Sequence, residues 1–294
     1  MKKLILICLL ILISCNTSTK NSDQEGEKFK PRWARNIPLI NERVSSFDHD
    51  NRIYETEHIL TYGDEVSDES KIWYAEMAEQ AYFELKTLFY ITETDNFGIK
   101  ADGPETKIQI ILNKNDPRSQ RSFTYGFMLY SLDSPYCFAN EDNFYNEVKH
   151  ELTHVFHMYF DGTSRRYPLG WFREGLAEYA ADGGFFPQIT SLSQFHSLKD
   201  LLDDYNMHPL KITWSMLTDK PGEVHSACYS MSHLAMSYLL DPQGLGKSIL
   251  DIKHMLIDVK NEVATFEMAF NLYFGIYIDA FENDFYDLME SYLN

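Results

Sequence analysis

The spacing of apolar residues divides the chain into a mixed part and a helical part. Arg52 to Tyr62 (RIYETEHILTY) is rich in β-branched and aromatic residues, alternates in part, and stops at Gly63, which predicts a strand. From Asp68 to Phe89 the step changes. Ile72, Ala75, Ala78, Tyr82, Leu85 and Phe89 recur every three or four residues, predicting a helix with Asp68 as its N-cap. Lys107 to Leu112 (KIQIIL) is a strand held between Gly103-Pro104 and a polar run ending at Pro117, and Thr124 to Leu132 is an edge strand. From Asp142 onward helical spacing dominates. Near the end, Phe266, Ala269, Phe270 and Phe274, then Phe281, Phe285, Leu288 and Tyr292, predict two amphipathic helices around Gly275. Strands around one helix, followed by helices alone, make an α+β chain. Its body covers 37–294, with a mixed lobe over about 37–160 and a mainly helical lobe over about 161–294.

The first residues do not belong to that body. Met1-Lys2-Lys3 is a short basic start, and Leu4 to Ile13 is an apolar run too short for a permanent membrane helix. Residues 1–14 therefore read as a secretory signal peptide. The run ends Leu12-Ile13-Ser14-Cys15, which resembles a bacterial lipobox, and this implies that Cys15 is lipidated and becomes the first residue. Residues 15–36 are polar and read as the lipidated cysteine and its tether. The expected location is the bacterial cell envelope, held to a membrane by the N-terminal lipid. Asn16 lacks the acidic character associated with inner-membrane retention, which points to the outer membrane of a two-membrane host.

Composition narrows the partners. Asp and Glu number 44 against 26 Lys and Arg, a net charge of -18. Loss of Lys2 and Lys3 with the signal makes it -20. Such a chain repels phosphate backbones, so nucleic acid is excluded as a partner. After Cys8 and Cys15, only Cys137 and Cys228 remain of the four cysteines, enough for one pair but not for a disulfide framework, and no CxxC is present.

The chemistry lies between 143 and 182. His150-Glu151-Leu152-Thr153-His154 is an HExxH motif on a helix marked by Phe144, Val148, Leu152, Val155 and Tyr159, with Gly162 as its stop. Positions i and i+4 share a helix face, so both imidazoles can reach one ion. After a loop comes Trp171-Phe172-Arg173-Glu174-Gly175-Leu176-Ala177-Glu178-Tyr179, a second helix closing at Gly183-Gly184. Two His and one Glu form a catalytic zinc set with a fourth position left for water, so His150, His154 and Glu174 are the candidate ligands of one zinc ion per chain. Gly175 is expected to let these two helices pack closely. Glu178, one turn further on, is spaced to accept the second ring N–H of a ligating His. Glu151 is turned about 100° from His150 around the helix and would face a bound water as general base.

HELTH followed by WFREGLAEY resembles the gluzincin metallopeptidases, the group of thermolysin and aminopeptidase N, and most nearly the small peptidase MA-like lipoproteins. The resemblance implies a zincin-like fold, with a twisted sheet, a peptide-binding edge strand, and the active-site helix between the two lobes. It implies His150, His154 and Glu174 as zinc ligands, Glu151 as general base, Glu178 as the supporting carboxylate, and a peptide or protein substrate. It also implies a Tyr or His further along that stabilises the oxyanion. Tyr229 and His225 are both candidates, and Tyr229 is the better match. Aminopeptidase N relatives carry Gly-x-Met-Glu-Asn on the edge strand. Here Gly126-Phe127-Met128-Leu129-Tyr130 has Leu129 in place of the Glu, which favours an endopeptidase.

Three readings stay open beside it: a zinc aminopeptidase, a non-catalytic binding or assembly module on the same fold, and a zinc hydrolase of another amide bond. Some residues are set aside. His157 is about 10 Å of helix rise from His150, beyond the reach of the same ion, and is expected to pack or to support the ligands. His49, His58, His196, His208, His233 and His254 lack partner spacing and are expected to be structural, and Arg165 and Arg166 to be solvated.

Overall fold

The computed structural model describes residues 54–64, 68–92, 107–113, 121–123, 127–131, 141–161, 170–182, 186–211, 214–217 and 220–294. The expected signal peptide, lipidated cysteine and tether (residues 1–36), with Cys137, His49, Gly162, Arg165, Arg166 and Gly183-Gly184, lie outside them. In chain order the described elements are strands β1 (Tyr54–Glu55) and β2 (Ile59–Asp64), helix α1 (Asp68–Leu88), and strands β3 (Ile108–Asn113), β4 (Arg121–Phe123) and β5 (Phe127–Ser131). Helices α2 (Glu141–Asp161), α3 (Gly170–Ala180) and α4 (Leu192–Asp204), a 3-10 turn (Pro209–Lys211), and helices α5 (Trp214–Leu217), α6 (Gly222–Leu240), α7 (Ile249–Lys260), α8 (Phe266–Phe274), α9 (Ile278–Asn283) and α10 (Phe285–Leu293) follow. The chain is α+β, with one five-stranded sheet ahead of a helical majority.

The sheet runs β1-β2-β3-β5-β4. The central β2, β3 and β5 are parallel, and β1 and β4 pair antiparallel at the two edges. Two expectations are corrected here. The strand expected over 52–62 is two strands, because Thr56-Glu57-His58 makes a turn without Gly, Pro or Asn. Glu79 of α1 holds that turn: its carboxylate accepts from Thr56 Oγ1, from the His58 backbone N–H at 3.0 Å, and sits 2.6 Å from His58 Nδ1. The expected edge strand, 124–132, is the interior strand β5, since the three-residue β4 pairs along its outer side, Arg121 opposite Leu129.

Small residues let α1 lie close to the sheet. Ala75, Ala78, Ala81 and Leu85 are fully buried, as are Ile59 and Ile110 beneath them. Helix α2 packs between α1 and α3, and α3 lies between α2 and α6. Helix α6 is apolar almost all round, with Ala227, Met231, Ala235, Met236 and Leu239 fully buried, which marks it as a core helix. Gly175 also departs from expectation. A Cβ there would lie 2.3 Å from the Ser232 carbonyl oxygen, so this glycine serves the approach of α3 to α6 and not to α2.

Local signals start the outer helices. Ser191 caps α4 by accepting from the Gln194 N–H, Thr265 caps α8 by accepting from Met268, and Ser248 with Asp251 forms a reciprocal capping box on α7. Gly275, at φ 76°, ends α8 in the left-handed region. Beyond it the single expected helix is two. Asp284 closes α9 and opens α10, a break that turns both Phe281 and Phe285 fully into the core. Trp171, at the start of α3, donates from Nε1 to Glu282 Oε1 at 3.0 Å and ties this end of the chain to the site helices.

Candidate metal centre

Helices α2 and α3 bring His150, His154 and Glu174 together. His150 Nε2 and His154 Nε2 are 3.1 Å apart, and Glu174 Oε2 lies 3.3 Å from the first and 3.2 Å from the second. These three residues could hold a metal ion. Bonds of about 2 Å at tetrahedral angles require ligand atoms about 3.3 Å apart, so the triangle already has the size of a closed tetrahedral face. Both imidazoles are buried, and Glu174 is largely so. Burial pushes the Glu174 carboxyl up, but the His154 charge and hydrogen bonds from both imidazoles outweigh it and hold it well below the usual carboxylate range. Glu174 is therefore an anion.

Glu178 is fully buried one turn along α3, with Oε1 2.8 Å from His150 Nδ1. This is the second carboxylate that a ligating imidazole needs to fix its tautomer and ring angle. Burial opposes charge on His150, yet Glu178 and Glu174 together raise its proton affinity well above the ordinary His range. Glu151 is buried beside the triangle on the next helical position.

Helix α6 closes the other side. The Tyr229 ring lies 6.2 Å from the His150 ring and stacks on Phe186 at 4.4 Å. Burial first, then the Glu174 and Glu151 charges, raise its pKa well above 10, so it remains a phenol and a hydrogen-bond donor. His225, one turn earlier, is 2.8 Å from the Leu217 carbonyl oxygen, and its Nε2–H is committed there. Of the two oxyanion candidates, Tyr229 is the one beside the His150–His154–Glu174 triangle. His157 is buried against the Phe172 edge at 6.1 Å. Burial, Arg173 and His154 keep it neutral.

Two residues of this neighbourhood escape sequence reasoning. Lys149 is buried, with Nζ 2.9 Å from Asp182 Oδ2 and 3.2 Å from Glu84 Oε2, and anchors α2 to the end of α3 and to α1. Glu147, one turn before Glu151, is only 4% exposed, and neither carboxyl oxygen has a hydrogen-bond partner among the described residues. Burial, with the Glu151 charge adding to it, pushes its pKa up to about 8. The spacing of four to Glu151 was the available signal for it. A second cluster, Glu57, His58 and Glu79, also brings three such groups close enough to hold one ion. Its Glu79 is already spent on the 56–58 turn, and the His58 ring is stacked on Tyr82 at 4.2 Å. Cys228 is a free buried thiol, pushed up to about 12 by burial.

No protein-family model matches the chain, and none of the curated proteins matches it.

Proposed function

We propose that this protein is a zinc-dependent peptidase of the gluzincin kind, a cell-envelope lipoprotein that cleaves internal peptide bonds. The observation that carries the reading is the triangle of His150 Nε2, His154 Nε2 and Glu174 Oε2 with edges of 3.1–3.3 Å. Two neutral nitrogens and one carboxylate, with a fourth position left over, are a donor set suited to catalytic zinc. On this reading the sheet lobe, the α2 helix and the helical lobe are the parts of a zincin-like fold.

Zinc held there supplies a Lewis acid that polarises a carbonyl and lowers the pKa of a water to about 7. The remaining work belongs to the chain. Glu178 holds the His150 ring in place from behind. Glu151 takes a proton from the attacking water and delivers it to the leaving amine, so that water and one peptide bond become a carboxylic acid and an amine. Tyr229, kept as a phenol, donates to the oxygen on which negative charge develops. Leu129, where aminopeptidase N relatives have a Glu that holds a free amine, favours internal cleavage.

The test is zinc content and cleavage of a broad peptide library, wild type beside Glu151→Gln. The expected result is one zinc per chain in both and cleavage by the wild type alone. A folded protein that takes up no stoichiometric metal would overturn the proposal. Equal cleavage by both proteins would remove Glu151 from its role.

A further inference from the structure

Behind the ligand shell lies a cavity of about 590 Å³ between α1, α2, α3 and α6. None of His150, Glu151, His154, Glu174 or Tyr229 lines it. Their neighbours do: Lys149 precedes His150, Tyr179 follows Glu178, and His233 is one turn beyond Tyr229. The volume is within the range of small-molecule sites.

One helix face organises the cavity. His233, Ser237 and Asp241 follow at steps of four along α6 and its C-cap, and all three line the space. The His233 side chain is 9% exposed, and no described residue makes a hydrogen bond to its ring. Burial lowers its pKa in spite of Glu178, Asp241 and Asp182, so the ring is neutral, with one acceptor and one donor unspent. The other polar groups are partly used. Asp241 accepts from Tyr292 at 2.7 Å and from Tyr179 at 3.4 Å, and Lys149 is held by Asp182 and Glu84.

Charge and shape select the occupant. Glu84, Asp182 and Asp241 set three carboxylates against the single ammonium of Lys149, an excess that favours a cation. A bare metal ion is a poor fit, because no three His, Cys, Asp or Glu groups among the described residues of this cavity converge on one point. Leu85, Leu88 and Ala180 supply apolar wall for a short hydrocarbon stem. The geometry points to a second ligand site, one that takes a small aliphatic ammonium ion, an N–H of which is donated to the His233 ring. This site is independent of the metal reading and stands or falls without it.

Titration calorimetry of the metal-free protein with 1,5-diaminopentane, in buffer containing physiological salt, tests the assignment. The expected result is one saturable site per chain. Binding weakens at least about tenfold in His233→Leu and in Ser237→Leu, which fills the cavity from the same face. His196→Ala, an exposed imidazole beside Glu290, binds as the wild type does. The unfolding temperature of each variant without ligand reports whether it folds, and Ser237→Leu decides if His233→Leu does not. Absence of saturable binding up to an amine concentration on the order of 10 mM overturns the proposal. So does binding that both cavity variants retain, which would be counterion uptake by an acidic surface.

Discussion

Gly175→Ala is the sharpest perturbation of the site that leaves every polar group in place. The new Cβ would stand 2.3 Å from the Ser232 carbonyl oxygen and 2.9 Å from its carbon. Both are backbone atoms of α6, so no rotamer change relieves them. Ordinary carbon–oxygen contact is about 3.3 Å or more, so α3 and α6 must part by about 1 Å. Overpacking of this kind costs roughly 1–3 kcal/mol, and a backbone neighbour puts it at the upper end. Exchange of Gly for Ala inside a helix returns about 1 kcal/mol, leaving a net loss of about 2 kcal/mol. The adjacent Glu174 moves with the helix. A shift of 1 Å is several times the tolerance of about 0.2 Å on a metal–ligand bond, and such displacements cost about 100-fold in activity. Urea unfolding, zinc affinity by chelator competition and peptide cleavage measure the three effects. Gly222→Ala, whose Cβ would meet nothing within 4 Å, is the control and is expected to change little. If Gly175→Ala were as stable as the wild type, or more so by its helix propensity, the close approach of α3 to α6 would be refuted.

Glu147→Gln is expected to stabilise the metal-free protein. An acid whose pKa rises from 4.5 to about 8 on folding keeps its proton in the fold, so stability is greatest at or below pH 4.5 and is lost as pH climbs toward 8. At pH 7 the cost is about 3 kcal/mol, which the variant recovers, while near pH 4.5 the two proteins should match; equal differences at both pH values would contradict the burial argument. Glu178→Ala should weaken zinc binding about 10–100-fold and Glu178→Gln less, as read by chelator competition, because the amide still meets His150 Nδ1. Glu79→Ala frees the 56–58 turn and should cost about 1–3 kcal/mol in urea unfolding, with loss of amide protection in β1 and no change in zinc affinity. A variant as stable as the wild type would show that the turn holds without its clamp.

What could be read from the residues divides by distance along the chain. The two ligand helices, the His150–His154 face and the Glu178 support all lie within one stretch of about 40 residues, where helical periodicity alone decides who faces whom. The break at 56–58 was hidden because its turn is made by Glu79, an acid on another element, with no turn residue of its own. The place of β5 inside the sheet depended on β4, three residues long and too short to carry a period. Gly175 announced a close neighbour but could not say which, since Ser232 is far downstream. The pairing of Tyr229 with the site and the unspent ring of His233 likewise required α6 to be seen against α3. Nothing in the spacing of either residue encodes that contact.

The ligands being neighbours in the chain has a consequence for how the protein is assembled and loaded. Nineteen residues separate His154 from Glu174, so an ion joining them closes a short loop. Such a clasp would restrict the unfolded chain by roughly 3 kcal/mol of loop entropy, less than a tie between distant parts of the chain would. It also spans none of the contacts between α3 and α6, or between α1 and the sheet, on which the body rests. Stripping the ion should therefore empty the centre without dismantling the molecule. On the proposed reading the ion would be a late addition, one that a finished protein can accept, give up and take back.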